Sequence, residues 1–563
     1  MFRFAIGSLT FSDSTTLTVP TEGVVVLVGP NNAGKSAALR EIARHLQGPS
    51  PTQPPLPRVV VGETLSTDGT VDELETWLTA HAFRMDRADG RYFQRPRANV
   101  RWDILRAEWD AKVALRPNLA AFMVFHAAAD GRLGLIGDSA PHDPLNQAPD
   151  QPMQVLFAKP ELQARLAAIA REAFGQPVTL AQIWGSNLRL HLGDIEEFPS
   201  IPPTASYIKA ISQLPLLAEQ RDGVRSFMGL MLALTTAQYP VVLADEPEAF
   251  LHPPQARLLG RKLATEAPSH TQVFVATHDS DVLQGLLDAE HVAVTVVRLV
   301  RDGALNRASV LEAQRLRELW RDPLLRYSNV LEGLFHRGVV VTESDGDSRF
   351  YAAVLNVVRD NAGLQPHDLL FTQSGGKQRL PTILRALTAV GVPVSVVVDF
   401  DVFQTLDLLA ELVALLGGDW ASCEVDARVV ATSIENGGSA PSMTVVREEL
   451  ARVLDGVHGA TLTPEAAKRI RAVTRVDDAW RRAKQGGESI VAQGEPSQRL
   501  QAVLATLANL GIFVVPVGEL ERWFPELADH GPQWVSTALG ERKHEDVTSP
   551  VAHFMTTVAS HFG

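Results

Sequence analysis

Gly29-Pro30-Asn31-Asn32-Ala33-Gly34-Lys35-Ser36 fits the pattern GxxxxGK[ST], and its flanks supply the context that the pattern needs. Upstream, Gly23–Val28 is a short β-branched apolar run that reads as a buried parallel strand. Downstream, residues 37–46 are Ala/Leu-rich and predict a helix. In that order, the loop's backbone N–H groups, those of Asn31, Asn32 and Gly34 among them, face phosphates together with the helix N-terminus. Lys35 then reaches the β/γ-phosphates and Ser36 a magnesium ion. The stretch predicts an α/β fold with an ATP–magnesium site.

The second half of such a site lies far along the chain. Val241-Val242-Leu243-Ala244 is another apolar run, and it leads into Asp245-Glu246-Pro247-Glu248. Asp245 is placed to hold magnesium and Glu246 to polarise the attacking water. Residues 273–276 form a third run, ending in Thr277-His278-Asp279, where His278 is placed to sense the γ-phosphate. These motifs, with Phe250-Leu251-His252-Pro253 between them, resemble the ATPase head of the ABC/SMC/RecF group. The resemblance implies ATP held between two copies, each adding a signature loop to the other's nucleotide. The matching segment, residues 220–227, departs from the LSGGQ-like pattern, and Gly223 and Ser226 are its candidates for meeting the γ-phosphate.

Composition sets the limits. The chain has 563 residues, 45% hydrophobic and 21% charged, enough for several domains with substantial cores. Its net charge of −13 repels nucleic acid, so DNA contact requires a local basic patch or metal ions. Cys423 is the one cysteine, which excludes an internal disulfide framework and a Cys-cluster zinc site. Residues 1–14 lack the pattern of a secretory signal. The uncharged stretch 226–244 is split by Thr235-Thr236-Ala237-Gln238-Tyr239-Pro240, so no membrane span is expected and the expected location is the cytoplasm.

The expected organisation is an ATPase domain over residues 1–305, with a less readable insert at about 50–200. A helical connector or dimerisation segment follows over 306–336, then a second α/β domain over 337–563. That domain opens on the strand-like Gly338–Thr342, alternates strands at Val394–Val398 and 511–517 with helices at 348–358 and 380–390, and carries a helical insert at about 418–505. Glu343 ends the first of these strands, Asp347 begins the next helix, and Asp399-Phe400-Asp401 closes the next strand. Residues i and i+2 of a strand share a face, which would point Asp399 and Asp401 to one side. Such a cluster, without cationic partners, makes sense only with bound divalent metal. Oxygen ligands favour Mg2+ or Mn2+, and two ions about 3.5–4 Å apart suit phosphodiester cleavage.

This spacing resembles the Toprim domain, and the order of the two halves resembles the OLD (overcoming lysogenization defect) nucleases, an ABC-type ATPase followed by Toprim. Supporting segments are Glu343-Ser344-Asp345-Gly346-Asp347, Ser374-Gly375-Gly376-Lys377 and Gly518-Glu519-Leu520-Glu521. The resemblance implies an ATP-regulated DNA endonuclease, similar to the nuclease subunit of Gabija-type anti-phage systems. It further implies a homodimer or higher homo-oligomer formed through the heads, and a helicase or other defence protein as partner. It makes Glu343, Asp347, Asp399 and Asp401 metal ligands, lets Glu519 or Glu521 support a second metal, and offers Lys543 to steady the scissile phosphate. The alternative is a RecF/SMC-like DNA-bound sensor or scaffold whose Toprim fold is a docking module. A helix opening at Thr463-Pro464 carries Lys468, Arg469, Arg471, Arg475, Arg481, Arg482 and Lys484 and is expected to track DNA phosphates.

Overall fold

A computed structural model describes residues 2–47, 58–95, 98–111, 117–141, 143, 148–183, 187–197, 199–200, 202–322, 330–437, 443–456, 463–473, 479–527 and 530–563. The chain forms two compact units, Met1–Asp322 and Pro323–Gly563, and is a mixed α/β protein with parallel sheets.

In the first unit the apolar runs form the middle of a six-stranded sheet. Gly23–Val28 lies between Gln272–Ala276 and Val294–Asp302, parallel to both. Val241–Asp245 is parallel to Gln272–Ala276 on one side and to Val124–Ala127 on the other. The register aligns Asp245 with Ala276 and Ala276 with Leu27, so all three motif-bearing strands end at one edge. Val24 to Val28 and Val241 to Ala244 are buried, as strands covered on both faces require. Leu305–Leu311 pairs antiparallel with Val294–Asp302. Residues 306–311 are therefore sheet rather than connector, and the first unit runs on through the helix Ala313–Arg321.

The second unit has a four-stranded parallel sheet in the order Leu369–Gln373, Gly338–Thr342, Val394–Val398, Ile512–Val514. Gly338–Thr342 and Val394–Val398 have the expected bounds, and both are wholly buried. The third expected strand keeps only Ile512–Val514. The chain leaves Gly338–Thr342 for the outer strand on one side and returns to Val394–Val398 on the other. This is a topological switch point, where open α/β sheets bind ligands beyond the carboxyl ends of their strands. One core gathers Phe350, Tyr351, Trp534 and Met555 beneath the sheet. Between Val394–Val398 and Ile512–Val514 come the helices Leu406–Leu415, Glu424–Asn436, Met443–Asp455, Pro464–Val473, Ala479–Gly486 and Glu495–Asn509. The expected basic helix is two described helices, and Arg475 lies outside the described residues. No described helix is long and apolar enough to cross a membrane.

Candidate nucleotide and metal sites

At the first unit's strand edge, the loop after Gly23–Val28 turns through left-handed backbone at Gly29, Asn32 and Gly34. Asn tolerates that conformation better than most residues, and Gly34 is required there, because a Cβ would lie 2.7 Å from Val59 Cγ2. The helix Lys35–Gln47 has no acid in its first turn, which leaves its positive end open to an anion. Lys35 is buried and donates to Gly29 O (2.7 Å) and Pro30 O (2.9 Å), while Ser36 is half-buried at the same helix start. Asp245 Oδ1 is buried and has no hydrogen-bond partner among the described residues, as a magnesium-holding carboxylate would be. Glu246 adopts a left-handed φ of 43°. His278 Nδ1 lies 3.7 Å from Glu246 Oε1 and 3.3 Å from Glu248 Oε1.

Two residues of this site, Glu248 within the quoted motif and Arg132 outside it, have no role in the motif reading. Glu248 is buried and accepts from Thr277 Oγ1 (2.7 Å) and the His278 N–H (3.1 Å), and burial raises its carboxyl above the usual range. Arg132 is 0% exposed. It donates to the carbonyls of Ala127 (2.6 Å), Asp245 (2.7 Å) and Glu246 (3.1 Å), and to Ser226 Oγ (2.8 Å). Nothing in the sequence around Arg132 marks it, because its partners are backbone oxygens from other segments. Ser226 is accordingly turned into its own unit at 1% exposure, and Gly223 packs so closely that a Cβ would lie 2.4 Å from Phe250 O. Within its own chain, then, Ser226 is engaged by Arg132 and Gly223 lies against the Phe250 carbonyl.

In the second unit, Glu343, Asp399 and Asp401 each bring a carboxylate oxygen to within 4.8 Å of the others. Glu343 directly follows Gly338–Thr342, and its Oε1 accepts from the Asp399 N–H at 3.1 Å. The strand Val394–Val398 ends before Asp399, and Asp401 sits in the 3-10 turn Phe400–Gln404. Convergence therefore comes from that turn, fixed by Phe400 N–H to Gly518 O (2.8 Å), and not from strand alternation.

The remaining acids arrange around these three. Asp347 is not in the group of three; its Oδ2 accepts from the Ser344 N–H (2.9 Å) in a capping box. Its charge still acts on the site, since burial and then Asp399 push its carboxyl up to about 7. Glu519 is 4.0 Å from Lys484 Nζ and 3.5 Å from Arg522 Nε, and Glu521 accepts from the Gly531 N–H (2.9 Å). Lys543 is not among the cations that contact these acids; it pairs with Glu526 at 2.7 Å over the Phe524 ring.

The premise of acids without cationic partners is also corrected. Lys377 Nζ lies 3.0 Å from Asp401 Oδ2, and Lys484 Nζ lies 2.9 Å from Asp399 Oδ2. The loop that carries Lys377 is laid along the first strand by Ser374 N–H to Thr342 O and Gly376 N–H to Glu343 O, both 2.9 Å. Lys484, expected to track DNA phosphates, turns inward to the acids. Six carboxylates (Glu343, Asp347, Asp399, Asp401, Glu519, Glu521) thus face three cations (Lys377, Lys484, Arg522), and the cluster stays negative if fully ionised. Burial, then Asp399, pushes Glu343 up to about 8, and burial raises Asp399 although Lys484 opposes it. Asp401 Oδ1 is buried without a hydrogen-bond partner among the described residues. Clustered hard oxygens, raised carboxyls and an unpartnered oxygen fit a divalent cation.

An α/β chain with a P-loop edge on one sheet and an acidic switch point on the other is the class these observations define. Residues 221–283 match the family model described as "AAA domain, putative AbiEii toxin, Type IV TA system". The Old nuclease of Escherichia phage P2 is 25% identical over 179 residues, which are 30% of this chain and 29% of that protein. The chain resembles the OLD-family ATPase nucleases, and the match spans less than a third of the curated relative. Among solved structures, the SMC head domain from Thermotoga maritima aligns at 15% identity and TM-score 0.27, over 55% of this chain and 99% of that one. An SMC head bound to the C-winged helix domain of ScpA aligns at 11% and TM-score 0.34 over the same shares. Structural likenesses this slight carry no argument.

Proposed function

We propose that this chain is an ATP-regulated, divalent-metal-dependent DNA endonuclease acting in anti-phage defence, with an ABC-type head in its first unit and a Toprim-type nuclease in its second. The observation that carries the reading is the meeting of Glu343, Asp399 and Asp401 at the switch point of a parallel sheet. These three would hold Mg2+ or Mn2+, with Glu519 beside them for a second ion. Bound there, divalent metal supplies an activated water and neutralises charge on the leaving oxygen. The chain's own residues orient the acids: Asp399 N–H fixes Glu343, and the 3-10 turn aims Asp401.

In the first unit Lys35 and the loop N–H groups hold ATP, Ser36 and Asp245 its magnesium, Glu246 the attacking water, and His278 the γ-phosphate. ATP pairs two heads in a homo-oligomer and gates the second unit, which requires ATP to bind the two arrangements with different affinity. DNA is the substrate, and a helicase or other defence protein is the expected partner.

A scaffold reading, with the second unit as a docking module on DNA, is favoured by one observation: Lys377 and Lys484 already pair two of the acids. A plasmid-nicking assay with Mg2+ or Mn2+, with and without ATP, separates the two. Wild type should cut, and Asp399→Ala should lose cleavage by on the order of a thousandfold, the several kcal/mol that a metal contributes. Lys35→Ala should change only the response to ATP. Normal cutting by Asp399→Ala would remove the nuclease from this site.

A further inference from the structure

Lys484 comes from the helical insert, not from the sheet that bears the acids. Its backbone is pinned where a surface lysine's is not. Gly518 has a φ of 112°, and a Cβ there would lie 2.2 Å from Lys484 O. Gly487, at φ 52°, would place a Cβ 2.0 Å from Pro516 O, and the Glu488 N–H donates to that same carbonyl at 2.8 Å. The end of the helix Ala479–Gly486 is thereby fastened to the segment that leads into Glu519. The fastening aims one ammonium at Asp399 (2.9 Å) and Glu519 (4.0 Å), and leaves the side chain 37% exposed.

We propose that Lys484 is a phosphate-contacting residue of this site: it is the counter-ion of Asp399 in the metal-free protein, and it turns to a DNA phosphate once that carboxylate is taken by a divalent ion. The inference rests on the metal-centred reading above. A polyanion cannot approach six carboxylates unless fixed positive charge is offered beside them. An ammonium suits this exchange, since it is a compact charge with three donors on a flexible stem and can leave one oxygen for another without a fixed fork geometry. Arg481 and Arg482 lie on the same helix as Lys484.

The test uses the full-length chain as wild type, Lys484→Met, Lys484→Arg and Asp399→Asn. Mn2+ affinity is read by calorimetry, and binding of a fluorescein-labelled DNA duplex by anisotropy, with Ca2+ replacing Mg2+. Lys484→Met should bind Mn2+ about three- to tenfold more tightly, because a competing cation is gone. Its DNA affinity should fall about tenfold, and the slope of log K against log salt should shrink by about one, the value of one phosphate contact. Lys484→Arg, which keeps the charge but not the compact ammonium, should recover the DNA affinity in part. A merely structural role would lower both affinities together with the melting temperature, and that result overturns the proposal. Unchanged Mn2+ and DNA affinities in Lys484→Met overturn it alone. Mn2+ binding that is absent from wild type, or equal in Asp399→Asn, overturns the metal-centred reading and this proposal with it.

Discussion

Asp245 ends an apolar strand of a parallel sheet and Asp401 sits in the turn just after another, and each has an Oδ1 buried without a hydrogen-bond partner among the described residues. Their surroundings differ in sign. Around Asp245 stand donors, namely an open helix N-terminus, the loop N–H groups and Lys35, beside the two acids Glu246 and Glu248, with Arg132 bonded to carbonyls and a hydroxyl. Around Asp401 the fixed groups are mostly acceptors, carboxylates in excess of the lysines that meet them. The first arrangement fits a polyanion that brings its own magnesium. The second fits cations that must be in place before a polyanion arrives. An aspartate at a strand end with one buried oxygen is thus not a function in itself; the groups fixed around it choose the ligand.

Three experiments would break or sharpen that contrast. The largest effect belongs to Arg132. Arg132→Met strips donors from three carbonyls and a hydroxyl, and should destabilise the first unit by about 3–5 kcal/mol, since each acceptor left unsatisfied costs about 1–3 kcal/mol. Urea unfolding followed beside Mn2+ titration should show that loss with metal affinity unchanged. A fall in both would mean that the two regions are not separable in this way.

Protonation gives the next effect. Glu343 is pushed from 4.5 to about 8 by burial and Asp399, so the folded protein holds this proton more tightly than the unfolded chain does. That stabilisation is full below about 4.5 and is lost as pH climbs toward 8. Divalent ions must displace the proton, so Mn2+ affinity should rise about tenfold per pH unit between 6 and 8, and Glu343→Gln should flatten the rise. A pH-independent affinity in wild type would contradict the acidic character assigned to the second site.

The smallest effect is at Ser226. Ser226→Ala removes one buried bond to Arg132 and should cost about 1–2 kcal/mol of stability by thermal melting. A loss of ATP-driven pairing without loss of stability would instead return this residue to a partner's nucleotide.

Much of the sheet framework was legible because it is local. Val394–Val398 and Gly338–Thr342 are continuous β-branched runs, and burial on both faces demands nothing else. Leu369–Gln373 and Val124–Ala127 do not stand out, because Phe371, Phe125 and His126 interrupt the aliphatic pattern. The helical insert was legible as a break in the strand–helix rhythm, but the inward turn of Lys484 was not, since the charges around it match a solvated face equally well. Asp347 shows the opposite case. A serine before an acid three residues on spells a capping box, and the structure forms that box while Asp347 also feels the charge of Asp399.

Taken alone, the sequence determined the P-loop, the strands that carry the acids and the existence of an insert, because hydrophobic period and glycine placement act between near neighbours. Only the tertiary structure decided that Lys377 and Lys484 meet Asp401 and Asp399, that Arg132 braces the Asp245 turn, and that Ser226 faces inward. Those pairings form between segments whose order along the chain sets no distance, so packing alone selects which charges end up close enough to matter.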